Sequence, residues 1–262
     1  MATKMEPVEG FVDNYMGVTG LAVAETLGFI RTILWDKKVT LDIIPADYVI
    51  NQTIAVGWDT YKRSKSPKNH NELEIYNCVS GCDNPIKLGK VQEYFNYAQT
   101  KVGINSRIWY PFLLDTTNTT LFAIYSFFLH TVPYHIIDFL LKCIGKKPFL
   151  TKIYMRYEKL RSALTFFTLK EWKFHTKNTR KLYSSLSEAD KRMFNFDVTN
   201  IYWPDYFMVC SKGIRRYLLK ENFEFDYNIK SYNTRKYIHL FSMCLVIIFM
   251  YYFFKIMFIT LF

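Results

Sequence analysis

The sequence predicts an α/β segment followed by a mostly α-helical region and a C-terminal transmembrane helix. Short β-branched runs alternate with helical stretches as far as Trp109, an order that is typical of α/β folds. Beyond Trp109 the apolar residues recur at helical spacing. Residues 238–262 are almost entirely apolar, with Lys255 as their sole charge. At 262 residues the chain is long enough for one or two domains with a buried core.

The N-terminal residues have the pattern of a domain interior. Residues 1–14 carry neither an apolar signal core nor an Arg-rich amphipathic leader. Gly17-Val-Thr-Gly20 then opens an apolar stretch that we predict to be helical as far as Leu34. Two glycines ahead of a helix allow the backbone to approach a ligand, and the same pair also serves as a simple turn.

A strand and a helix are predicted next. Residues 39–44 are short, β-branched and apolar, which predicts a buried strand that ends at Pro45. Asp47 is predicted to cap a helix over residues 48–61, because apolar side chains recur along one face of that stretch.

A second strand and helix follow a polar loop. Residues 63–71 are charged and polar, which predicts a surface loop. Residues 74–79 form the second predicted strand. The following helix is predicted to begin at Asn84-Pro85, since proline is favoured in a first helical turn, and to end near Lys101.

The middle of the chain is predicted to be helical. Residues 121–141 are largely apolar but contain two histidines, a proline and an aspartate, which are costly near the centre of a bilayer. We therefore predict a buried or membrane-grazing helix pair, with a second membrane span as the alternative. Residues 152–164 have an amphipathic helical pattern. Ser187 and Asp190 resemble a capping box that starts another helix.

The C-terminal stretch predicts a membrane anchor. As a helix, residues 238–262 would reach about 37 Å, enough to cross a hydrocarbon core of roughly 30 Å. The preceding residues 212–236 contain seven Lys or Arg and three acidic side chains, so the positive-inside rule places the main domain in the cytosol. A re-entrant hairpin that turns near Lys255 is the alternative to a single span.

The formal net charge of +11 indicates an anionic partner. Nucleic acid, anionic lipid and a phosphate-bearing ligand such as coenzyme A or NADPH all suit this charge, as does a basic surface beside a membrane. The sequence has neither an RNP-like nor a helix-turn-helix pattern, so we expect no nucleic-acid partner.

Few side chains point directly to catalysis. The five cysteines form no C-x-x-C motif, so we expect reduced thiols and no metal site. His130 and His135 are five residues apart and do not share a helix face, so a structural role explains them more simply than acid–base chemistry. Tyr-x-x-x-Lys, the proton-donor pair of short-chain dehydrogenase-type reductases, occurs about as often as chance allows, at Tyr61/Lys65, Tyr97/Lys101 and Tyr232/Lys236.

Seven aromatic residues near the C-terminal third could line an apolar ligand tunnel, although packing in a core explains them more simply. These residues are Trp172, Phe174, Phe194, Phe196, Trp203, Tyr206 and Phe207.

Many motifs, in the same order along residues 6–222, resemble the alcohol-forming fatty acyl-CoA reductases. Those resembling the end of that family's NADPH-binding reductase domain are Glu6-Pro7, Gly10, Asp13-Asn14, Gly17-x-Thr-Gly20, Leu27-Gly-x-x-Arg31, Ile44-Pro-x-Asp47-Tyr-Val-Ile-Asn51, Trp58, Tyr76-Asn77, Ser80, Asn84-Pro85-Ile86 and Trp109-Tyr-Pro111. Those resembling its C-terminal "male sterility" domain are Glu171-Trp172-Lys-Phe174, Asn178, Leu182, Leu186-Ser-x-x-Asp190, Phe194-Asn-Phe-Asp197, Ile201-x-Trp203, Tyr206 and Gly213-Ile-Arg-Arg-Tyr-Leu-Leu-Lys-Glu221.

The resemblance implies a division of the chain into three parts. Residues 1–115 would be the C-terminal part of a Rossmann-type, extended short-chain dehydrogenase domain. Residues 116–225 would be the helical C-terminal domain of a fatty acyl-CoA reductase. Residues 237–262 would be the transmembrane anchor.

The resemblance also implies a function, namely NADPH-dependent reduction of long-chain fatty acyl-CoA to fatty alcohol on a peroxisomal or endoplasmic reticulum membrane. The family's glycine-rich nucleotide motif and catalytic Tyr-x-x-x-Lys lie in an N-terminal half that has no counterpart here. We therefore assign no catalytic or cofactor-binding residue and expect the chain alone to be inactive. The alternative is a non-catalytic, membrane-anchored protein that binds acyl chains or pairs with a full-length reductase.

The candidates for a substrate cleft are Gly17, Thr19, Gly20, Pro45 and Asp47. By resemblance they lie at the lip of the reductase cleft, where the carboxyl ends of the strands face the ligand. A turn and capping role explains them almost as well.

Overall fold

The computed structural model describes residues 1–66, 73–221 and 229–261. The helices and strands, in chain order, are α1 Gly17–Thr26, β1 Thr32–Leu34, α2 Ala46–Ser64, α3 Leu88–Val102, β2 Leu114–Thr116, α4 Thr119–Ser126, α5 Val132–Cys143, α6 Leu150–Thr168, α7 Lys177–Ser185, α8 Glu188–Met193, α9 Trp203–Gly213 and α10 Ile229–Leu261. Two π-helical turns, Phe127–Thr131 and Ile214–Leu218, and a 3₁₀ turn, Val198–Asn200, complete them.

A two-stranded parallel sheet is the β structure of the described residues. Thr32 pairs with Leu114 and Leu34 with Thr116, and all three residues of β1 are buried. Parallel strands cannot be joined by a tight turn, and α2 and α3 lie in the connection between them. The predicted α/β character of the first part is thus present, in a sheet much smaller than the helical part.

The two predicted strands at 39–44 and 74–79 are wrong. Residues 39–44 make an isolated antiparallel bridge, Thr40 to Lys87, and no ladder. Residues 74–79 run along α7, where side chains take up their backbone groups: Asn178 donates to the carbonyl of Ile75, and Thr179 donates to the carbonyl of Asn77. With those groups satisfied, no neighbouring strand is needed.

The first predicted helix begins at Gly17 as expected but ends at Thr26 rather than Leu34. Gly28 explains the early end, because its φ of 70° lies in the left-handed region. A Cβ on Gly28 would also lie 2.5 Å from the carbonyl oxygen of Trp109. The chain therefore leaves the helix here and enters β1.

Two predicted helix starts are corrected. Asp47 does not cap α2, because it lies inside the first turn after Pro45 and its carboxylate binds another segment. The helix predicted from Asn84-Pro85 begins at Leu88. The Asn84 side chain instead donates to the carbonyls of Val198 and Ile201, which fixes it outside the helix.

The stretch predicted as a helix pair forms one interrupted helix, from α4 through the π-turn to α5. Asn118 caps its start by accepting from the backbone N–H groups of Thr120 and Leu121. Pro133 follows the π-turn, and its missing N–H explains why regular α-helical bonding is broken there. Among the residues that the structure describes, this one helix, Thr119–Cys143, is long and apolar enough to cross a membrane by length and composition.

Helix α6 returns antiparallel to α5. At the turn, the Asp138 carboxylate accepts from the backbone N–H groups of Phe149, Leu150 and Thr151. Further along, the rings of Tyr134 and Tyr154 lie 5.5 Å apart. The α6 residues Tyr157 and Thr168 then hydrogen-bond to carbonyls of β1, so the hairpin comes back to the main body. The amphipathic helix predicted over 152–164 is confirmed within α6.

The aromatic stretch 194–221 supplies the larger of the two hydrophobic cores. Tyr206 and Phe207 of α9 are almost fully buried against α3, with the rings of Phe95 and Phe207 5.6 Å apart. Core packing therefore explains Phe196, Trp203, Tyr206 and Phe207, as the simpler interpretation predicted, whereas Trp172 and Phe174 are exposed. The second core lies between α1, β1, α5 and α6. The predicted start of α8 is also confirmed, since the Ser187 hydroxyl accepts from the N–H of Asp190.

Candidate functional site

The predicted cleft residues of α1 contact the N-terminal segment. Thr19 is buried, with its hydroxyl 3.9 Å from the sulfur of Met1. Gly20 lies against the backbone of Tyr15, where an added Cβ would be 2.1 Å from the carbonyl oxygen. Gly17 is at the helix start with a φ of 60°. These positions are explained by close packing and a turn.

Pro45 and Asp47 meet the same N-terminal segment from α2. Pro45 is fully buried. The Asp47 carboxylate accepts from the backbone N–H groups of Lys4 at 2.9 Å, Met5 at 2.9 Å and Glu6 at 3.2 Å. The structure thus brings Thr19 and Asp47 to one segment, residues 1–6, where Asp47 holds the backbone, whereas Gly20 packs against Tyr15. A role for them in ligand binding stays a prediction.

An apolar cavity of about 320 Å³, which we call the aromatic cavity, lies between α5, α10 and the loop after α1. Its size falls within the range of small-molecule sites. Aromatic and aliphatic side chains form most of its wall. Lining residues include Phe29, Arg31, Trp109, Phe112, Phe128, Tyr134, Ile137 and Met243.

Arg31 is the strongly charged side chain of this cavity. Its Nη1 donates to the carbonyl of Leu129 at 2.9 Å. The guanidinium carbon lies 5.4 Å from the centre of the Trp109 ring and 5.8 Å from that of Tyr134, which is cation–π distance. Its Nε is buried and has no hydrogen-bond partner among the residues that the structure describes.

No carboxylate balances the charge of Arg31 within residues 1–66, 73–221 and 229–261. Burial lowers the pKa of this guanidinium, and the neighbouring Tyr134 opposes the shift. An arginine nevertheless stays protonated in proteins, so the cavity wall carries a positive charge.

His130 is hydrogen-bonded to the backbone of Arg31 and is itself fully buried. The Arg31 backbone N–H donates to His130 Nε2 at 2.8 Å, so this nitrogen carries no proton and the imidazole is neutral. Tyr134 packs beside it and donates its hydroxyl to the carbonyl of Phe29. The burial of His130 and its hydrogen bond to the Arg31 backbone suit a structural role, which stays a prediction. His135 points elsewhere and hydrogen-bonds Thr131 within its own helix.

The N-terminal part of α10 closes one side of the cavity through His239. The centre of the His239 ring lies 4.6 Å from that of Phe112 and 5.4 Å from that of Tyr110, and both pairs of rings are stacked. Trp109 donates its indole N–H to His239 Nδ1 at 3.3 Å. An aromatic cluster therefore joins this helix to the body of the protein.

A second cavity, of about 360 Å³, is polar and lies between α2, α7 and residues 196–199. Its cation Arg180 forms an ion pair with Asp83, and Asp197 accepts hydrogen bonds from Thr199 and Asn200. Because Arg180 already has an acidic partner, the aromatic cavity is the stronger candidate for an anionic ligand.

Two of the three Tyr-x-x-x-Lys pairs lie on the surface of the protein. Lys65 lies over the ring of Tyr61 and Lys101 over that of Tyr97, each at 5.7 Å, and both tyrosines are more than half exposed. Tyr232 packs on Tyr110 at the start of α10. The chance occurrence of the three pairs stays a prediction.

Sequence reasoning missed Arg31 and Trp109 as functional residues. Both belong to motifs that resemble the reductase family, but the motifs carry no role for them. Only the folded chain shows that a charged side chain from the loop after α1 ends between aromatic rings beside two apolar helices. No local pattern could have revealed that arrangement.

Comparison with known proteins gives one consistent result. The family model of the male sterility protein matches residues 129–221. Fatty acyl-CoA reductase 2 of Bos taurus is 37% identical over 221 residues, 84% of this chain and 42% of the relative. Fatty acyl-CoA reductase 1 of Rattus norvegicus is 31% identical over 220 residues, again 84% of this chain and 42% of the relative. Fatty acyl-CoA reductase wat of Drosophila melanogaster is 31% identical over 241 residues, 91% of this chain and 46% of the relative. The chain thus spans less than half the length of these relatives.

Proposed function

We propose that this chain, a relative of the fatty acyl-CoA reductases, takes part in reducing long-chain fatty acyl-CoA to fatty alcohol. The observation that carries the proposal is the similarity to such reductases over 84% of the chain. Converting a thioester to an alcohol needs two hydrides and two protons and releases coenzyme A as its thiol. The proposed hydride donor is NADPH, as the family resemblance implies.

The residues of this chain do not fit a dinucleotide by themselves. Such a cofactor needs a glycine-rich turn between a strand and the start of a helix, where backbone N–H groups meet the pyrophosphate. Helix α1 opens with Gly17, but no described strand leads into it, and Gly20 is packed against Tyr15. We therefore assign no hydride-transfer step to these residues. In this proposal the cofactor-binding residues are supplied by a longer form of the chain or by an associated full-length reductase.

The contribution we assign to this chain is acyl-chain binding beside a membrane. The aromatic cavity offers an apolar wall of the right size for part of one hydrocarbon chain. It adjoins α5 and α10, both rich in exposed apolar side chains. A ligand chain could therefore pass from lipid into the cavity without crossing water.

We further propose that the main domain lies on the cytosolic face of a peroxisomal or endoplasmic reticulum membrane, anchored by 237–262. The α5–α6 hairpin would rest at the membrane surface. Ile136, Phe139 and Leu140 of α5 are exposed, and α6 exposes the cations Lys152 and Arg156. Apolar side chains entering the lipid beside cations at the headgroups are typical of interfacial helices.

The reductase proposal is tested with purified chain in lipid nanodiscs, supplied with NADPH and palmitoyl-CoA. Fatty alcohol is measured by mass spectrometry, first for the chain alone and then after adding a full-length reductase that carries an inactivating Tyr→Phe change in its Tyr-x-x-x-Lys motif. We expect no alcohol in either sample. Turnover by the chain alone would show that it holds a complete catalytic centre.

The second candidate is a non-catalytic partner that binds acyl chains, favoured by the cavity together with the poor fit to a dinucleotide. Co-purification with an active full-length reductase and a changed rate of alcohol formation would support it. Sequencing of transcripts upstream of Met1 separates the two. An open frame that encodes the glycine-rich fingerprint favours the reductase, and an in-frame stop codon favours the partner.

A further inference from the structure

We propose that the aromatic cavity binds a free long-chain fatty acid, whose carboxylate pairs with Arg31. The inference rests on the proposed role in acyl-chain binding and adds a ligand that is neither the thioester nor the alcohol of the reductase reaction. It follows from the juxtaposition of an unbalanced guanidinium with an apolar wall.

The unbalanced charge is the first argument. Within the described part of the chain Arg31 has no acidic partner within 4 Å, and its Nε is buried without a hydrogen bond. Buried charges in proteins are usually paired, because leaving water is costly for them. A ligand anion would supply the missing partner.

The fixed position of the guanidinium is the second argument. Trp109 and Tyr134 face it at 5.4 and 5.8 Å, and Leu129 accepts from Nη1. These contacts restrict the side chain while leaving its net charge unchanged. A preorganised guanidinium loses little freedom on binding and offers parallel N–H donors that match the two oxygens of a carboxylate.

The shape and lining of the cavity decide the rest of the ligand. A volume of about 320 Å³ bordered by Phe112, Phe128 and Ile137 suits one hydrocarbon chain and not the two chains of a phospholipid. A fatty alcohol would fill the same wall but brings no charge to Arg31. The structure therefore favours a single-chain anion, and a carboxylate is the head that matches a lone guanidinium.

The test is direct binding of radiolabelled palmitate to the full chain in phosphatidylcholine nanodiscs, with three competitors: palmitate, hexadecanol and single-chain lysophosphatidic acid. We expect palmitate to compete about tenfold better than hexadecanol, because only the former pairs with Arg31. Arg31→Gln should weaken the affinity for palmitate by about tenfold and change the affinity for hexadecanol by less than about twofold. Arg31→Lys, which keeps the charge, should recover most of the palmitate affinity.

A matched control is Arg216→Gln. Arg216 is also an arginine over an aromatic ring, 5.4 Å from the centre of Tyr217, but it lies on the exposed surface of the second π-turn. The Arg216→Gln variant should bind palmitate as tightly as the parent protein does. Ile137→Trp, which fills the cavity, should weaken palmitate and hexadecanol alike. Thermal melting of each variant reports whether the fold is retained, and Arg31→Lys provides the folded comparison if Arg31→Gln melts early.

Each outcome has one meaning. Equal competition by palmitate and hexadecanol, with no effect of Arg31→Gln, would overturn the carboxylate site while leaving the cavity as an acyl-chain site. Stronger competition by lysophosphatidic acid than by palmitate would overturn the carboxylate assignment in favour of a phosphate head. Absence of binding by both palmitate and hexadecanol would remove the cavity from both proposals. Binding that Ile137→Trp does not reduce would have the same consequence.

Discussion

A buried carboxyl group in α1 links the stability of this protein to pH. Glu25 is 8% exposed, and burial raises its pKa to about 7, although hydrogen bonds with Gln92 and Asn96 of α3 oppose the shift. The folded state therefore holds a proton that the unfolded chain releases near its ordinary value of 4.5. The free energy of unfolding should fall as the pH rises from about 4.5 to about 7, because ionisation is costlier in the folded state.

Replacing Glu25 with glutamine should remove this pH dependence. A glutamine keeps the neutral shape but cannot ionise, so the variant should be more stable than the parent at pH 8, by up to roughly 3 kcal/mol, and nearly equal at pH 4.5. Urea unfolding at a series of pH values measures the difference. Glu93→Gln, at an exposed site of α3 between Gln92 and Asn96, is the control and should change stability little at any of these pH values. A pH-independent gap for Glu25→Gln would contradict the assignment.

Asp47 offers a test between structure and ligand binding at a predicted cleft residue. Its carboxylate accepts three backbone N–H groups of residues 4–6 and is 7% exposed. Asp47→Ala should lower the free energy of unfolding by about 2–4 kcal/mol, since three donors lose a charged acceptor. Asp13→Ala, at an exposed carboxylate, should have little effect. Unchanged stability of Asp47→Ala, with altered ligand affinity, would instead support the cleft role.

At the scale of elements, one acidic side chain joins the second π-turn to the end of α3. Glu221 accepts from the backbone N–H groups of Asn105 and Ser106 and from Arg215 Nε. Burial raises the pKa of this carboxyl group, but the hydrogen bonds from Ser106 and Asn105 outweigh it and hold the pKa below its usual value. The ionised form therefore stabilises the fold above the unfolded pKa, and that contribution is lost as the pH falls.

Glu221→Gln should destabilise the protein by about 2–4 kcal/mol at pH 7, because Arg215 loses its buried partner. The difference from the parent should shrink as the pH falls below 4, where the parent carboxylate is protonated as well. Glu188→Gln breaks the exposed ion pair with Lys191 and should destabilise the protein far less than Glu221→Gln. Chemical denaturation at a series of pH values from 3 to 7 measures the free energy of unfolding of both variants. Equal losses of stability in Glu221→Gln and Glu188→Gln would contradict the assignment.

The helices and the strands differ in how far the sequence could predict them. Helices α2, α3 and α6 follow from a periodic apolar face, which is a property of each segment alone. Residues 39–44 and 74–79 have strand-like composition, but a strand also needs a neighbour to pair with. Here Asn178 and Thr179 of α7 take the backbone groups that such a neighbour would use. That choice depends on residues a hundred positions away.

For the whole molecule, the proposed membrane association raises the question of whether helix Thr119–Cys143 spans the bilayer or lies on its surface. Helix Thr119–Cys143 passes a length and composition test for a span, yet α6 returns beside it and binds β1. If α5 crossed the bilayer, α6 would have to cross it too, with Lys152 and Arg156 on its exposed face. Charged groups at that depth are expensive, so a surface position is favoured.

Cysteine labelling tests this arrangement. Cys82, on the main body, and Cys143, at the end of α5, are both exposed. Variants with a single cysteine at one or other position, in sealed microsomes, should both react with a membrane-impermeant maleimide, because the proposed arrangement places both thiols on the cytosolic side. Cys210, which is buried, serves as the unreactive control. Labelling of Cys143 only after detergent is added would indicate a transmembrane helix.

In the proposed surface position, the antiparallel α5–α6 hairpin has a mechanical consequence for the bilayer. A hairpin whose α5 side chains enter only the cytosolic leaflet adds area to that leaflet and none to the other. A bilayer that is expanded in one leaflet curves so that this leaflet is on the convex side. The hairpin therefore favours convex membrane and binds best where the lipids of the leaflet it enters are already spread apart. Small vesicles should therefore recruit this protein more strongly than flat bilayers of the same lipid. Its distribution within an organelle would then follow membrane curvature as well as lipid chemistry.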